Sequence, residues 1–130
     1  MGSFLGLLGL YGLLVIVTIL IQGQVAQMQV GLDKQVGNRE DMPALTGAAF
    51  RMERAQMNSI VAMALFAPAV LILHMKGVTG GSALIAANVF LLARLLYVIF
   101  YGFGILWSRS VAWITGMVAT VWLYIAGLMA

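Results

Sequence analysis

Four long apolar stretches constrain the fold of this chain more than any other feature of its sequence. The first reads "FLGLLGLYGLLVIVTILI" (residues 4–21), and three more of similar character follow. Each approaches the roughly 20 residues that a helix needs to cross a hydrocarbon core of about 30 Å. The sequence therefore predicts an all-α, integral membrane four-helix bundle that forms a single domain, residues 1–130. We expect helices at about residues 3–28, 43–75, 82–105 and 108–129, with Pro43 in the first turn of the second helix.

The composition supports lipid as the solvent and excludes several functions. Of the 130 residues, 63% are hydrophobic, which is more apolar surface than a soluble domain of this size can bury. The net charge of +3 suits anionic headgroups but is too small and scattered for nucleic-acid binding. The chain has no cysteine and one histidine, His74, so we expect no metal site. Phosphate-loop, nucleophile-elbow and zinc motifs are missing from the sequence, so catalysis requires cationic and hydroxyl groups that stabilise a developing anion.

The basic residues predict how the chain is oriented. Four spans place the first and third loops on one side of the membrane, with Lys34, Arg39 and Arg109, whereas the second loop carries Lys76. The positive-inside rule therefore predicts that the basic loops are cytoplasmic and that both termini are outside.

Polar residues concentrate at the start of the second helix, in "FRMERAQMNSI" (residues 50–60). Arg51, Arg54 and Asn58 follow i, i+3, i+7 spacing and therefore share one helix face. This helix is predicted to be about 50 Å long, so Asn58 lies a turn inside the hydrocarbon boundary. The plain alternative is that both arginines extend to lipid phosphates.

The third helix repeats this kind of pattern with Arg94, Tyr97 and Tyr101. Arg94 is expected roughly 13 Å below the boundary, where an unpaired charge costs at least about 2.5 kcal/mol, so it has to face the protein or a wet cavity. Two plain alternatives remain: Arg94 is tied to a backbone carbonyl or to Glu53, and the tyrosines are ordinary packing residues.

Antiparallel pairing of the two helices brings their polar faces together. It places Arg94 level with Val61 or Ala62, and the two tyrosines near the polar face of the second helix. Glu53 is the only acidic residue in a predicted helix, so the pocket carries surplus positive charge. The sequence therefore predicts a cationic pocket that opens at the cytoplasmic interface and favours an anionic ligand.

Two segments, "GNREDMPALTGAAFRMERAQMN" and "ARLLYVIFYGFGILWSRSVAW", resemble the MAPEG family (membrane-associated proteins in eicosanoid and glutathione metabolism), especially its small bacterial members. The resemblance covers roughly residues 33–113. It rests on RxxRAxxN in the second helix, RxxYxxxY in the third, and an RSV turn followed by an aromatic residue.

The resemblance implies a homotrimer in the bacterial inner membrane, with glutathione bound between neighbouring subunits. It implies that Arg109 and Ser110 activate the thiol by lowering its pKa. The thiolate then attacks a lipophilic electrophile or hydroperoxide that arrives from the bilayer, as in a glutathione-dependent transferase or peroxidase. The implied ligand-binding residues are Arg39, Arg51, Arg54, Asn58, Arg94, Tyr97, Tyr101 and Trp113.

The chain departs from the family pattern in one run. The family's RAHRNxxE reads here "RAQMNSIV", with Gln56, Met57 and Val61 at the histidine, arginine and glutamate positions. With valine at 61, the glutathione ammonium loses its counter-charge, which typically costs 2 kcal/mol or more (roughly thirtyfold in affinity). Two alternatives to the enzyme therefore stay open: a non-catalytic module that binds another anion, such as a lipid phosphate or fatty acid, and a purely structural trimer.

Overall fold

The computed structural model describes residues 3–31 and 45–130 of the chain. Within these ranges the chain forms four α-helices and no strands. All four are long and apolar enough to cross a membrane, so the protein is an all-α, membrane-spanning four-helix bundle as predicted. The helices are α1 (Phe4–Val30), α2 (Gly47–Met75), α3 (Ser82–Gly102) and α4 (Leu106–Met129).

The start of α2 differs from the sequence prediction. Pro43 lies outside the described residues, and the helix begins at Gly47, after the extended Thr46 (φ −132°, ψ 164°). The Gln29 side chain of α1 holds Thr46 in that conformation: its Oε1 accepts from the Thr46 N–H at 2.9 Å, and its Nε2 donates to the Thr46 carbonyl at 3.0 Å. Because the Thr46 backbone is held in this extended conformation by α1, the helix starts one residue later.

The turn between α3 and α4 also differs. The end of α3 is Gly102 rather than the predicted residue 105, and α4 begins at Leu106 rather than at residue 108. Gly104 adopts a positive φ of 76°, a conformation that costs glycine little and that reverses the chain directly after the helix.

Three aromatic rings lock α1, α2 and α3 together. Phe66 and Phe90 stack with their centroids 3.9 Å apart, and Tyr11 meets both rings edge-on at 5.8 Å and 4.9 Å. Lipid is as apolar as these side chains, so helix association in a membrane depends on close packing and interhelical hydrogen bonds rather than on escape from water. The cluster supplies that packing, because such ring pairs contribute about 0.5–1.5 kcal/mol each beyond buried area.

A cation joins the C-terminal ends of α2 and α4. Lys76 follows the last residue of α2, and its Nζ donates to the carbonyl oxygens of Gly127 at 2.6 Å and Ala130 at 3.3 Å. The final carbonyls of a helix lack intrahelical partners and carry partial negative charge, so this ammonium stabilises the end of α4.

We predict that Phe66→Ala destabilises the bundle while Phe103→Ala does not. Phe66 is fully buried and Phe103 is 79% exposed. In detergent the transfer term is small, but a cavity of about 100 Å³ at roughly 24 cal/mol per Å³ still costs about 2 kcal/mol. Thermal unfolding of the detergent-purified variants measures the difference, and equal melting temperatures for the two variants would contradict this account of the core.

Candidate functional site

Three adjoining cavities form a groove bounded mainly by α2, α3 and α4, and Asn58 lines all of them. We call this set of cavities the site groove. Its first cavity, about 300 Å³, is lined by Arg54, Met57, Asn58, Val61, Tyr97, Tyr101 and Arg109. Its second, about 390 Å³, adds Ser110, Trp113 and Ile114. Its third, about 70 Å³, is smaller and includes Arg94, Val61 and Ala62 in its lining.

The groove brings together eight of the ten catalytic and ligand-binding residues that the sequence analysis predicted. Arg39 lies outside the described residues. Arg51 is placed differently from the others: its Nε donates to the Gly102 carbonyl at 3.4 Å, and its side chain lies against Gly104. It therefore caps the end of α3. The eight residues in the groove are Arg54, Asn58, Arg94, Tyr97, Tyr101, Arg109, Ser110 and Trp113.

Arg94 is buried in α3 with part of its hydrogen-bonding capacity unused. Only 2% of the residue is exposed, and its guanidinium lies 4.4 Å from the centre of the Tyr97 ring. One terminal nitrogen donates to the Ser59 Oγ at 3.4 Å, which is long for a hydrogen bond, and Nε has no partner among the described residues. This hydrogen bond goes to a hydroxyl, and not to Glu53 or a backbone carbonyl.

Arg109 repeats this arrangement at the start of α4. Its guanidinium lies 4.8 Å from the centre of the Tyr101 ring, and its buried Nε also has no partner in the described part of the chain. The Tyr97 and Tyr101 rings meet edge-on at 5.6 Å. The four side chains thus form a ladder in which two cations flank two phenol rings, with cation–π contacts that contribute about 0.5–2 kcal/mol each.

The sequence interpretation missed the groups that support Arg94. Ser59 provides the hydroxyl acceptor, and the Tyr11 hydroxyl of α1 donates to the Ser59 backbone carbonyl at 2.8 Å. Gly116 of α4 packs beside the arginine, since a Cβ at that position would lie in van der Waals contact with the Arg94 Cδ, at 3.4 Å. Hydroxyl groups within apolar helices were the available signal, since buried polar groups require partners.

The groove suits an anion that carries more than one acceptor. Arg54, Arg94 and Arg109 line it, and none of its described lining residues has a carboxylate. A guanidinium binds a carboxylate or phosphate through two parallel hydrogen bonds, and such charge-assisted bonds are about twice as strong as neutral ones. The same cations favour negative charge on an oxygen or sulfur atom that binds beside them.

Comparison with known proteins finds one family. A model described as "MAPEG family" matches residues 6–129, which includes nearly all of the four helices. No curated protein and no solved structure matches the chain.

We predict that Ser59 positions Arg94 through its hydroxyl alone. Ser59→Ala is expected to cost about 1 kcal/mol of stability in the wild-type background, because it leaves another guanidinium N–H unpaired. In an Arg94→Met background the same change should cost almost nothing, while the Tyr11 bond to the Ser59 backbone persists in both. Thermal unfolding of the wild type, the two single variants and the double variant in detergent gives the coupling energy between Ser59 and Arg94. An equal loss of stability on Ser59→Ala in both backgrounds would rule out this role for the hydroxyl.

Proposed function

The chain belongs to the MAPEG family, and from that premise we propose that it is a membrane-embedded, glutathione-dependent transferase or peroxidase acting on lipophilic electrophiles or hydroperoxides. Members of the family include glutathione transferases and peroxidases. One observation carries the proposal: Arg94, which is buried, and Arg109, which is partly exposed, both line the site groove, and the buried Nε of each has no partner among the described residues.

The residues that line the groove support glutathione as the thiol in this proposal. Glutathione carries two carboxylates, and Arg54 and Arg94 supply guanidinium groups on α2 and α3 to receive them. The Asn58 amide and the two phenol groups supply neutral donors and acceptors between these cations. The ammonium group is the part of glutathione that the described lining residues do not match, because none of them is acidic.

Arg109 and Ser110 are the residues that we assign to thiol activation. Both line the cavity of about 390 Å³ that also contains Trp113. A fixed guanidinium beside a bound thiol favours the thiolate, and each unit by which the thiol pKa falls corresponds to 1.36 kcal/mol. The thiol supplies the nucleophilic sulfur when it is bound. The protein holds the negative charge and orients the sulfur.

The surroundings of the groove support a lipid-soluble second substrate. A separate cavity of about 380 Å³ lies between α3 and α4, with an almost entirely apolar lining that includes Trp107, Val111 and Ala112. These residues lie on the face of α4 opposite Arg109 and Ser110. The apolar contact nearest the proposed thiolate comes from Trp113 and Ile114, which line the same cavity as Arg109 and Ser110.

The proposal includes an assembly and an orientation. We propose a homotrimer in the bacterial inner membrane, with both termini outside and the turn between α3 and α4 in the cytoplasm. Family members are often trimers. Water-soluble glutathione would then reach the groove from the side on which Arg51, Arg54 and Arg109 lie.

One observation favours a second candidate function, a non-catalytic module for another anion. Val61 is 57% exposed and Met57 is 55% exposed, and both line the groove among its cations. A fatty acid or lipid phosphate combines one anionic group with apolar chains. A groove lined by both cations and apolar side chains suits such a ligand. Turnover and thiolate formation separate this candidate from the enzyme.

We predict that Arg109→Ala abolishes thiolate formation in bound glutathione and lowers turnover of a chlorodinitrobenzene-type electrophile or a lipid hydroperoxide by about 100-fold or more, as for loss of one donor to a developing anion. Arg109→Lys should retain part of both signals because it keeps the charge. Ultraviolet thiolate absorbance and turnover are the measurements. His74→Ala, at the opposite end of α2, is the matched control, and unchanged absorbance in Arg109→Ala would refute the assignment.

We predict that Arg94→Met separates ligand binding from stability. A buried charge with incomplete partners contributes little to folding, so the ligand-free variant should melt at or above the wild-type temperature. The rise in melting temperature that saturating glutathione produces in the wild type should disappear. Lys76→Met should show the reverse pattern, a lower melting temperature with the glutathione effect kept. A glutathione effect that survives in Arg94→Met would contradict a binding role for Arg94.

A further inference from the structure

The charges of the site groove point to a selectivity among thiols that goes beyond the proposed function. We infer that the groove binds anionic thiols without a free ammonium group more tightly than it binds glutathione. The inference rests on the proposed thiol chemistry and adds the class of thiol on which the site acts best.

The first step is the balance of charge in the lining. Three guanidinium groups line the groove, those of Arg54, Arg94 and Arg109. Glu53 is the only acidic residue in the described ranges, and it is not among the residues that line these cavities. A ligand that fills the groove therefore meets three positive charges and no described negative charge. Carboxylates gain from this field, whereas an ammonium group is repelled by it.

The second step is the strength of that repulsion. Arg94 is 2% exposed and α3 is a membrane-spanning helix, so bulk water screens its charge poorly. Interactions between charges at such positions are several times stronger than in water. The amide of Asn58 accepts a hydrogen bond from an ammonium group but does not cancel its charge. Removal of the ammonium group should therefore raise affinity by about tenfold or more.

The third step is that the groove has apolar side chains where an ammonium group would need a negative charge. Val61 lines both the cavity that contains Arg94 and the cavity that contains Arg54 and Arg109. Its side chain is apolar and 57% exposed, and Met57 lies beside it in the larger cavity. A methylene or acyl group can contact these side chains at no cost in desolvation. An ammonium group loses part of its hydration there, and that costs free energy.

Two ligands that differ in one group test the inference on the full-length, detergent-purified protein. The first is glutathione, and the second is its deaminated analogue, in which a glutaryl group replaces the γ-glutamyl group and only the ammonium is lost. Isothermal titration calorimetry should show that the analogue binds at least about tenfold more tightly. Thiolate absorbance of both bound ligands should be recorded in parallel.

Variants at Val61 test whether missing negative charge causes the difference in affinity between the two ligands. Val61→Glu should tighten glutathione binding and weaken binding of the analogue, each by about tenfold, because it places a negative charge on the shared wall. Val61→Gln matches the size and polarity of that change without its charge, and it should leave the order of the two ligands as in the wild type. If Val61→Glu does not fold, the comparison of the two ligands on the wild-type protein decides alone.

The outcomes separate this inference from the proposed function. Equal or tighter binding of glutathione to the wild type overturns the selectivity and leaves the thiol chemistry intact. The same reversal by Val61→Gln shows that size rather than charge governs the wall, and it also overturns the inference. Absence of binding and of thiolate absorbance with both thiols overturns the proposed function, and the inference falls with it.

Discussion

The buried guanidinium of Arg94 is the constraint on which the rest of the site depends. A charged group about 12 Å from the end of a membrane-spanning helix needs partners within the protein, and its own helix and two neighbouring helices contribute to its surroundings. Ser59 of α2 accepts one hydrogen bond, Tyr97 of α3 provides a ring face, and Gly116 of α4 packs beside the side chain. The bundle thus supports the charge without neutralising it. That residual positive charge is the physical basis for an anionic ligand.

The aromatic cluster holds the helices together, and the site groove carries the charges, in different parts of the bundle. The rings of Tyr11, Phe66 and Phe90 fasten the first three helices. Tyr11 belongs to both parts, since its hydroxyl also reaches the carbonyl of Ser59, beside the hydroxyl that receives Arg94. Packing at the core and placement of the charge are therefore coupled through one residue of α2. This coupling means that the packing of the aromatic cluster also helps to hold the Arg94 guanidinium in position.

The sequence predicts the spans and the ladder well, because both follow from simple spacing. Long apolar runs define the helices, and the intervals of three and four residues put Arg94, Tyr97 and Tyr101 on one face. It predicts Arg51 less well. The early end of α3 leaves the Gly102 carbonyl without a helical partner, and Arg51 donates to it rather than joining the groove. The role of Ser59 depends on how α2 and α3 rotate against each other, which no local pattern specifies.

The bond between Arg51 and the end of α3 also has a consequence for how reactants meet. It holds the start of α2 at the same level as the turn that leads into α4, so Arg54 and Arg109 border the groove from one rim of the bundle. In the proposed enzyme, a water-soluble thiol would dock at that rim without crossing the bilayer, while a lipophilic reactant would approach sideways through the leaflet. The two reactants would then meet at the boundary between water and lipid.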